Sequence, residues 1–146
     1  MRALIDTCIV MDVLQNRDNF NADAQKIFLA AANKWFIGFL TAKAVTDIYD
    51  FIHRHMHNDK ATRGVLDTLF HLFELADMAG MDCKRALQSD VPDYADAVMI
   101  EAAARMNMDC IVTHSGKDFS KSQVPVYSPA EFLNRIDQQE EENAEI

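Results

Sequence analysis

The sequence contains no long hydrophobic run and only three cysteines, and both features exclude broad classes of protein. No segment approaches the roughly 18 consecutive apolar residues that a membrane-spanning helix requires. Asp6 comes too early for the apolar core of a signal peptide. Cys8, Cys83 and Cys110 are widely spaced and form no Cys-x-x-Cys pair, which indicates neither a disulfide framework nor a zinc ribbon. We therefore expect a cytoplasmic protein with no membrane contact.

Basic residues are also scarce. The chain has 14 Lys and Arg against 23 Asp and Glu, a formal net charge of −9. Five of the acids lie in residues 137–146, which contain no Lys or Arg, so the rest of the chain carries 18 acids and 14 bases, a net charge of −4. The overall charge argues against binding to a polyanion. The chain without residues 137–146 is closer to neutral, however, and it could bind a nucleic acid once a cation neutralises some of its acids.

Short apolar segments alternate with segments of helical periodicity, which predicts an α/β architecture with a mostly parallel sheet. The predicted strands are residues 3–5, 35–39, 73–78, 110–113 and 124–127, the last at a sheet edge because of its proline. The predicted helices are residues 22–32, 41–51, 60–73 and 94–106, and a last one after a capping box that begins at Ser128. Without a repeat or linker, residues 1–136 are expected to form one domain and residues 137–146 an acidic, flexible tail.

Four aspartates are candidates for a metal site at one edge of this sheet. Asp6 directly follows the first predicted strand, and Asp118 follows the fourth after a short turn. Asp47 and Asp96 lie early in helices that begin near the same edge. Each acid alone equally fits a turn or a helix start. Together they would repel, a pair about 4 Å apart by roughly 4 kcal/mol at an effective dielectric near 20, so the cluster requires a cation.

Carboxylate oxygens are hard ligands that suit Mg²⁺ or Mn²⁺. Such an ion can activate a water molecule and neutralise a phosphate, so phosphodiester hydrolysis is the expected reaction.

Four segments, in order along the chain, resemble the motifs of the PIN-domain family. They are residues 5–14 (IDTCIVMDVL), 41–49 (TAKAVTDIY), 93–103 (DYADAVMIEAA) and 111–119 (IVTHSGKDF). Residues 126–133 (VYSPAEFL) are also similar to the usual last strand and helix of that family. Each motif alone is weak, but four in the right order are fairly specific.

The resemblance implies a three-layer α/β/α sandwich around a sheet of about five strands, and a metal-dependent ribonuclease with Mg²⁺ or Mn²⁺ as cofactor. It implies that Asp6, Asp96 and Asp118 hold the metal and that Asp47 assists. The supporting residues that it implies are Thr113, Asp93 and Ser115. Small relatives are often toxins of the VapBC type, so the expected partners are RNA, an antitoxin protein and a second copy of the chain in a homodimer.

The sequence departs from the family pattern at three places. Cys8 stands where asparagine is usual, Asp47 where glutamate is frequent, and His114-Ser115 where an Arg-Asn pair is common. These departures leave an alternative open, a catalytically weakened PIN-like module that acts by binding RNA or protein.

The histidines near residue 55 allow a different metal hypothesis. His53 and His57 lie four residues apart on one predicted helix face and could bind zinc, but no acid at a suitable spacing completes the site. We prefer the interpretation of a polar helix end. Another alternative is that these histidines form a small basic patch with Arg54, Lys60 and Arg63 and that this patch contacts RNA phosphates.

Overall fold

The computed structural model of the chain describes residues 1–19, 21–115 and 119–145. The strands are β1 (Arg2–Ile5), β2 (Ile37–Thr41), β3 (Glu74–Ala76), β4 (Cys110–Val112) and β5 (Val126–Tyr127). The helices are α1 (Thr7–Leu14), α2 (Asn21–Ala32), α3 (Ala42–Met56), α4 (Asp59–Leu72), α5 (Gly80–Ala86), α6 (Tyr94–Arg105) and α7 (Pro129–Ala144).

The strands form one parallel sheet in the order β3-β2-β1-β4-β5. β1 is central, and its Ala3 lies opposite Gly38 of β2 on one side and Cys110 of β4 on the other. Because the strands run the same way, their carboxyl ends share one edge of the sheet. The prediction of a parallel sheet of five strands, with the last at an edge, is confirmed.

Two apolar clusters cover the two faces of the sheet. Side chains of a strand alternate between faces, and Ala3 and Ile5 of β1 pack with α1, α2, α3, α4 and α7. Leu4, between them, packs on the other face against α6 and Ala86 of α5. The predicted three-layer α/β/α sandwich is therefore confirmed.

Local capping explains where two of the helices begin. Thr41 ends β2 and caps α3, its hydroxyl accepting a hydrogen bond from the Ala44 amide at 3.1 Å. Ser128 and Glu131 form the predicted capping box at the start of α7. Among the described residues, no helix is both long and apolar enough to cross a membrane.

Four elements differ from the sequence prediction. α1 and α5 were not predicted as helices, because α1 is apolar over most of its surface and α5 spans less than two turns. β2 begins two residues later than predicted, and Trp35 before it is 45% exposed. α7 includes residues 137–144, assigned to the acidic tail from the sequence. Glu and Gln are good helix formers, so this segment continues the helix without apolar contacts.

Gly38 of β2 allows two aromatic rings to pack against the central part of the sheet. A Cβ atom at this position would lie 2.7 Å from the Phe73 ring and 3.0 Å from the Phe36 ring. Both rings are buried, so they have little room to move. We expect Gly38→Ala to lower the free energy of unfolding by about 1–3 kcal/mol, measured by urea denaturation. Gly64→Ala, where an added Cβ meets nothing within 4 Å, is the control, and equal losses in the two variants would contradict the expectation.

Candidate functional site

A pocket of about 220 Å³ lies at the carboxyl edge of the sheet, and three of the four predicted aspartates line it. Asp6 follows β1, Asp47 lies in the second turn of α3, and Asp96 lies in the first turn of α6. The other lining residues are Thr7, Thr41, Lys43, Ala44, Met78, Ala95 and Met99. The fourth predicted ligand, Asp118, lies outside the described residues.

The carboxylate of Asp6 is held by hydrogen bonds at both oxygens. Its Oδ1 accepts a hydrogen bond from the Thr7 amide at 2.8 Å, because Asp6 caps α1. Its Oδ2 accepts a hydrogen bond from the Thr113 hydroxyl, also at 2.8 Å. The pairing of β1 with β4 brings these two residues together although they are 107 positions apart. The Asp6 side chain is therefore oriented before any ligand binds.

Thr113, a predicted supporting residue, is buried and lies behind Asp6 rather than in the pocket. Its Oγ1 also accepts a hydrogen bond from the backbone amide of Ser115 at 3.1 Å. Ser115, the other supporting residue on this segment, therefore acts here through its backbone. The two residues together fix the segment after β4 to the end of β1.

Cys8 contacts the same oxygen atoms. Its Sγ lies 3.6 Å from Oδ2 of Asp6 and 3.6 Å from Oγ1 of Thr113. Burial, and then the charge of Asp6, raise the pKa of the Cys8 thiol to about 11. The thiol is therefore neutral at pH 7, a weak hydrogen-bond donor rather than a nucleophile or a thiolate ligand.

Asp47 is paired with a cation inside the pocket. Its Oδ2 lies 2.6 Å from Nζ of Lys43, one turn earlier on α3, and both side chains are about half exposed. Lys43 was not among the residues singled out from the sequence. The spacing of four residues to Asp47 was the available signal. Among the described residues, the lining of the pocket thus includes the ammonium group of Lys43 besides the carboxylates.

Asp93 begins α6 and holds its first turn. Its Oδ1 accepts a hydrogen bond from the backbone amide of Asp96 at 3.0 Å, so it is the N-cap of the helix. The predicted auxiliary acid therefore has a structural contact to the residue that lines the pocket. The partial positive charge of the helix start also favours the carboxylates of both residues.

The oxygen-rich lining matches the ligand preference of Mg²⁺ and Mn²⁺. Asp6, Asp47 and Asp96 supply carboxylates, and Thr7 and Thr41 supply hydroxyl groups nearby. The donor chemistry of this lining therefore fits a hard divalent ion. Within residues 1–19, 21–115 and 119–145, however, no three His, Cys, Asp or Glu side chains are grouped so that they could hold a metal ion together.

The zinc hypothesis for His53 and His57 gains no support. The His53 ring stacks on the Tyr49 ring at a centroid distance of 5.5 Å. His57 terminates α3 in a left-handed conformation with φ of 50°. Both residues therefore lie at the polar end of α3, which agrees with the interpretation preferred from the sequence.

Comparison with known proteins identifies the fold family. The sequence matches the family model described as PIN domain over residues 2–116. This chain belongs to the PIN-domain family. PIN domains are nucleases, so the family assignment carries the general expectation of hydrolytic chemistry. No curated protein is significantly similar in sequence to this PIN domain.

Solved structures with the same fold include toxins of toxin–antitoxin pairs. VapBC2 from Rickettsia felis, bound to a DNA fragment from its promoter, has a TM-score of 0.63 and 14% identity, and the match covers 88% of this chain and 98% of that chain. A toxin–antitoxin complex from Klebsiella pneumoniae has a TM-score of 0.65 and 21% identity, and the match covers 87% of this chain and 97% of that chain. VapC20 from Mycobacterium tuberculosis, a toxin that cleaves the sarcin–ricin loop, has a TM-score of 0.57 and 11% identity. The match covers 75% of this chain and 86% of that chain.

Proposed function

We propose that this PIN domain is a Mg²⁺- or Mn²⁺-dependent ribonuclease. The observation that carries the proposal is the pocket at the carboxyl edge of the sheet, which Asp6, Asp47 and Asp96 line from three different elements. Membership of a nuclease family agrees with it. Asp6, Asp96 and Asp118 would hold the metal ion, and Asp47 would assist directly or through water.

A bound divalent ion would supply an activated water molecule and would neutralise charge on the phosphate. The residues of the chain orient the groups around it. Thr7 and Thr113 hold the Asp6 carboxylate in one orientation. Lys43 pairs with Asp47 and offsets its negative charge, which reduces the repulsion that an RNA phosphate would meet at the pocket.

We further propose that the protein is the toxin of a toxin–antitoxin pair that acts in the cytoplasm as a homodimer. Similar folds occur in a Klebsiella pneumoniae complex described as toxin–antitoxin and in VapBC from Salmonella typhimurium bound to DNA. RNA is the proposed substrate because VapC20 is described as cleaving the sarcin–ricin loop. The antitoxin is the proposed regulatory partner.

A divalent-metal titration tests the proposed activity. We expect Mn²⁺ at millimolar concentration to raise the thermal midpoint of the metal-free protein and to start cleavage of a labelled RNA, because the ion relieves repulsion between the pocket carboxylates. The products should carry a 5′-phosphate and a free 3′-hydroxyl. Chelation with EDTA should reverse both effects. An unchanged midpoint together with intact RNA would refute the nuclease proposal.

The same titration decides the second candidate, a catalytically weakened module that binds RNA or protein. One observation favours this candidate. Cys8 places a neutral thiol 3.6 Å from Asp6, a weaker donor than the amide that the family pattern has there. Binding of RNA in a filter assay without cleavage at any Mn²⁺ concentration would support it.

A further inference from the structure

Asp12 on α1 is a fully buried carboxylate that lies outside the pocket. A buried charge is strongly unfavourable unless oppositely charged or polar groups compensate it. Nε2 of His114 lies 3.1 Å from Oδ2 of Asp12, and Nη1 of Arg17 lies 3.5 Å from its Oδ1. The Arg17 side chain is 42% exposed whereas that of His114 is 21% exposed, so the histidine makes the shorter and more sheltered contact.

This contact lies next to the groups that orient Asp6. His114 comes directly between Thr113, whose hydroxyl donates to Asp6, and Ser115, whose amide donates to Thr113. On the α1 side, Cys8 lies one helical turn before Asp12, and its Sγ is 3.6 Å from Oγ1 of Thr113. One face of α1 therefore contacts two successive residues after β4.

We propose that His114 is a positioning residue, whose contact with Asp12 fastens the segment after β4 to α1 and so fixes the orientation of the Asp6 carboxylate. Neither Asp12 nor His114 is among the described residues that line the pocket with Asp6. They act through Thr113. The catalytic consequence rests on the proposed ribonuclease function, whereas the fastening itself is a property of the metal-free protein.

The three cysteines allow the fastening to be measured without metal or substrate. Cys8 is half-buried beneath this segment, Cys83 is exposed and Cys110 is buried in the sheet. Each thiol can be alkylated by iodoacetamide and the product measured by mass spectrometry of its peptide. Cys8 then reports on opening of the segment after β4, Cys83 on the activity of the reagent, and Cys110 on global unfolding.

We expect His114→Ala and Asp12→Asn each to accelerate alkylation of Cys8 at least fivefold relative to Cys83, with Cys110 unchanged. His114→Arg, which places a guanidinium beside Asp12, should keep the rate of Cys8 alkylation within twofold of the wild type. His71→Ala, at an exposed histidine of α4, is the matched control and should have no effect. If Asp12→Asn does not fold, the rates of Cys8 alkylation in His114→Ala and His114→Gln test the positioning role.

Turnover supplies the second readout. If the wild type cleaves RNA, His114→Ala should lower kcat about tenfold with KM within twofold, and His114→Arg should restore kcat. A wild type that neither binds Mn²⁺ nor cleaves RNA would defeat the ribonuclease proposal but leave the alkylation result to decide the positioning role. Unchanged Cys8 alkylation in the folded His114→Ala variant, or an equal rise at Cys110, would overturn that role.

Discussion

If the protein is the proposed ribonuclease, replacing Asp96 by asparagine is expected to lower Mn²⁺-dependent RNA cleavage by roughly a thousandfold, because the loss of a proposed metal ligand would remove several kcal/mol of stabilisation from the transition state. Asp96 lies in the first turn of α6 and lines the pocket with Asp6 and Asp47. The thermal midpoint of the metal-free variant should be unchanged or higher, since one of several neighbouring negative charges is removed.

The measurement is the rate of cleavage of a labelled RNA at saturating Mn²⁺, together with a thermal melt of each metal-free protein. Asp67→Asn makes the same change of charge at an exposed position on α4 and should retain full activity. Retention of wild-type cleavage in Asp96→Asn would remove this residue from the proposed metal site. A large fall in the midpoint would instead indicate that its contribution is structural.

Replacing Arg105 by methionine is expected to lower the thermal midpoint by roughly 10 °C at pH 7, because it leaves a buried carboxylate without its cation. Asp82 is fully buried, and Arg105 contacts both of its oxygens at 3.0 Å. The Ala79 amide donates a further hydrogen bond to Asp82 at 2.8 Å. Arg105 also donates to the Asp77 carbonyl at 2.7 Å, so one side chain ties α6 to the segment around α5.

The loss in Arg105→Met should depend on pH in one direction. The Arg105 guanidinium holds the pKa of the Asp82 carboxyl below its usual range. A lowered folded-state pKa gives stability that is present above the unfolded pKa, about 3.9, and is lost as the pH falls through the folded value. In the variant, burial without the guanidinium favours the protonated carboxyl, so the difference in midpoint between wild type and variant should be largest near pH 7 and should narrow as the pH falls.

The exposed pair of Arg63 and Asp59 provides the control for this experiment. Its side chains are 75% and 51% exposed, although Nε of Arg63 lies only 2.8 Å from Oδ2 of Asp59. Pairs in such a setting contribute little to stability, so Arg63→Met should shift the midpoint by no more than about 2 °C. Equal shifts for Arg63→Met and Arg105→Met would show that burial of Asp82 does not matter.

The sequence predicted the architecture because the strands are short apolar runs separated by helices of clear periodicity. It missed α1, since Ile9, Val10 and Met11 are all buried and leave no polar face to mark a helix. It also ended the last helix too early, near Ile136. An acidic stretch without apolar residues looks the same whether it is a tail or the exposed continuation of a helix.

The candidate site was only partly predictable for a similar reason. The positions of Asp6, Asp47 and Asp96 at strand ends and helix starts placed them near one edge of the sheet, and the structure brings them to one pocket. Asp93 could have been an auxiliary acid or a helix cap, and only its hydrogen bond to the Asp96 amide distinguishes the two. Asp12 is typical of an exposed helix residue, and its burial against His114 depends on packing between distant segments.

The central position of β1 constrains when the protein can become active during its synthesis. β1 pairs with β4, and the Thr113 hydroxyl that holds Asp6 is made 107 residues later. At about 5–20 residues per second, that interval lasts on the order of 10 s. Under the proposed function, we expect the nascent chain to leave RNA intact until β4 has left the ribosome, and the proposed antitoxin could bind during that interval.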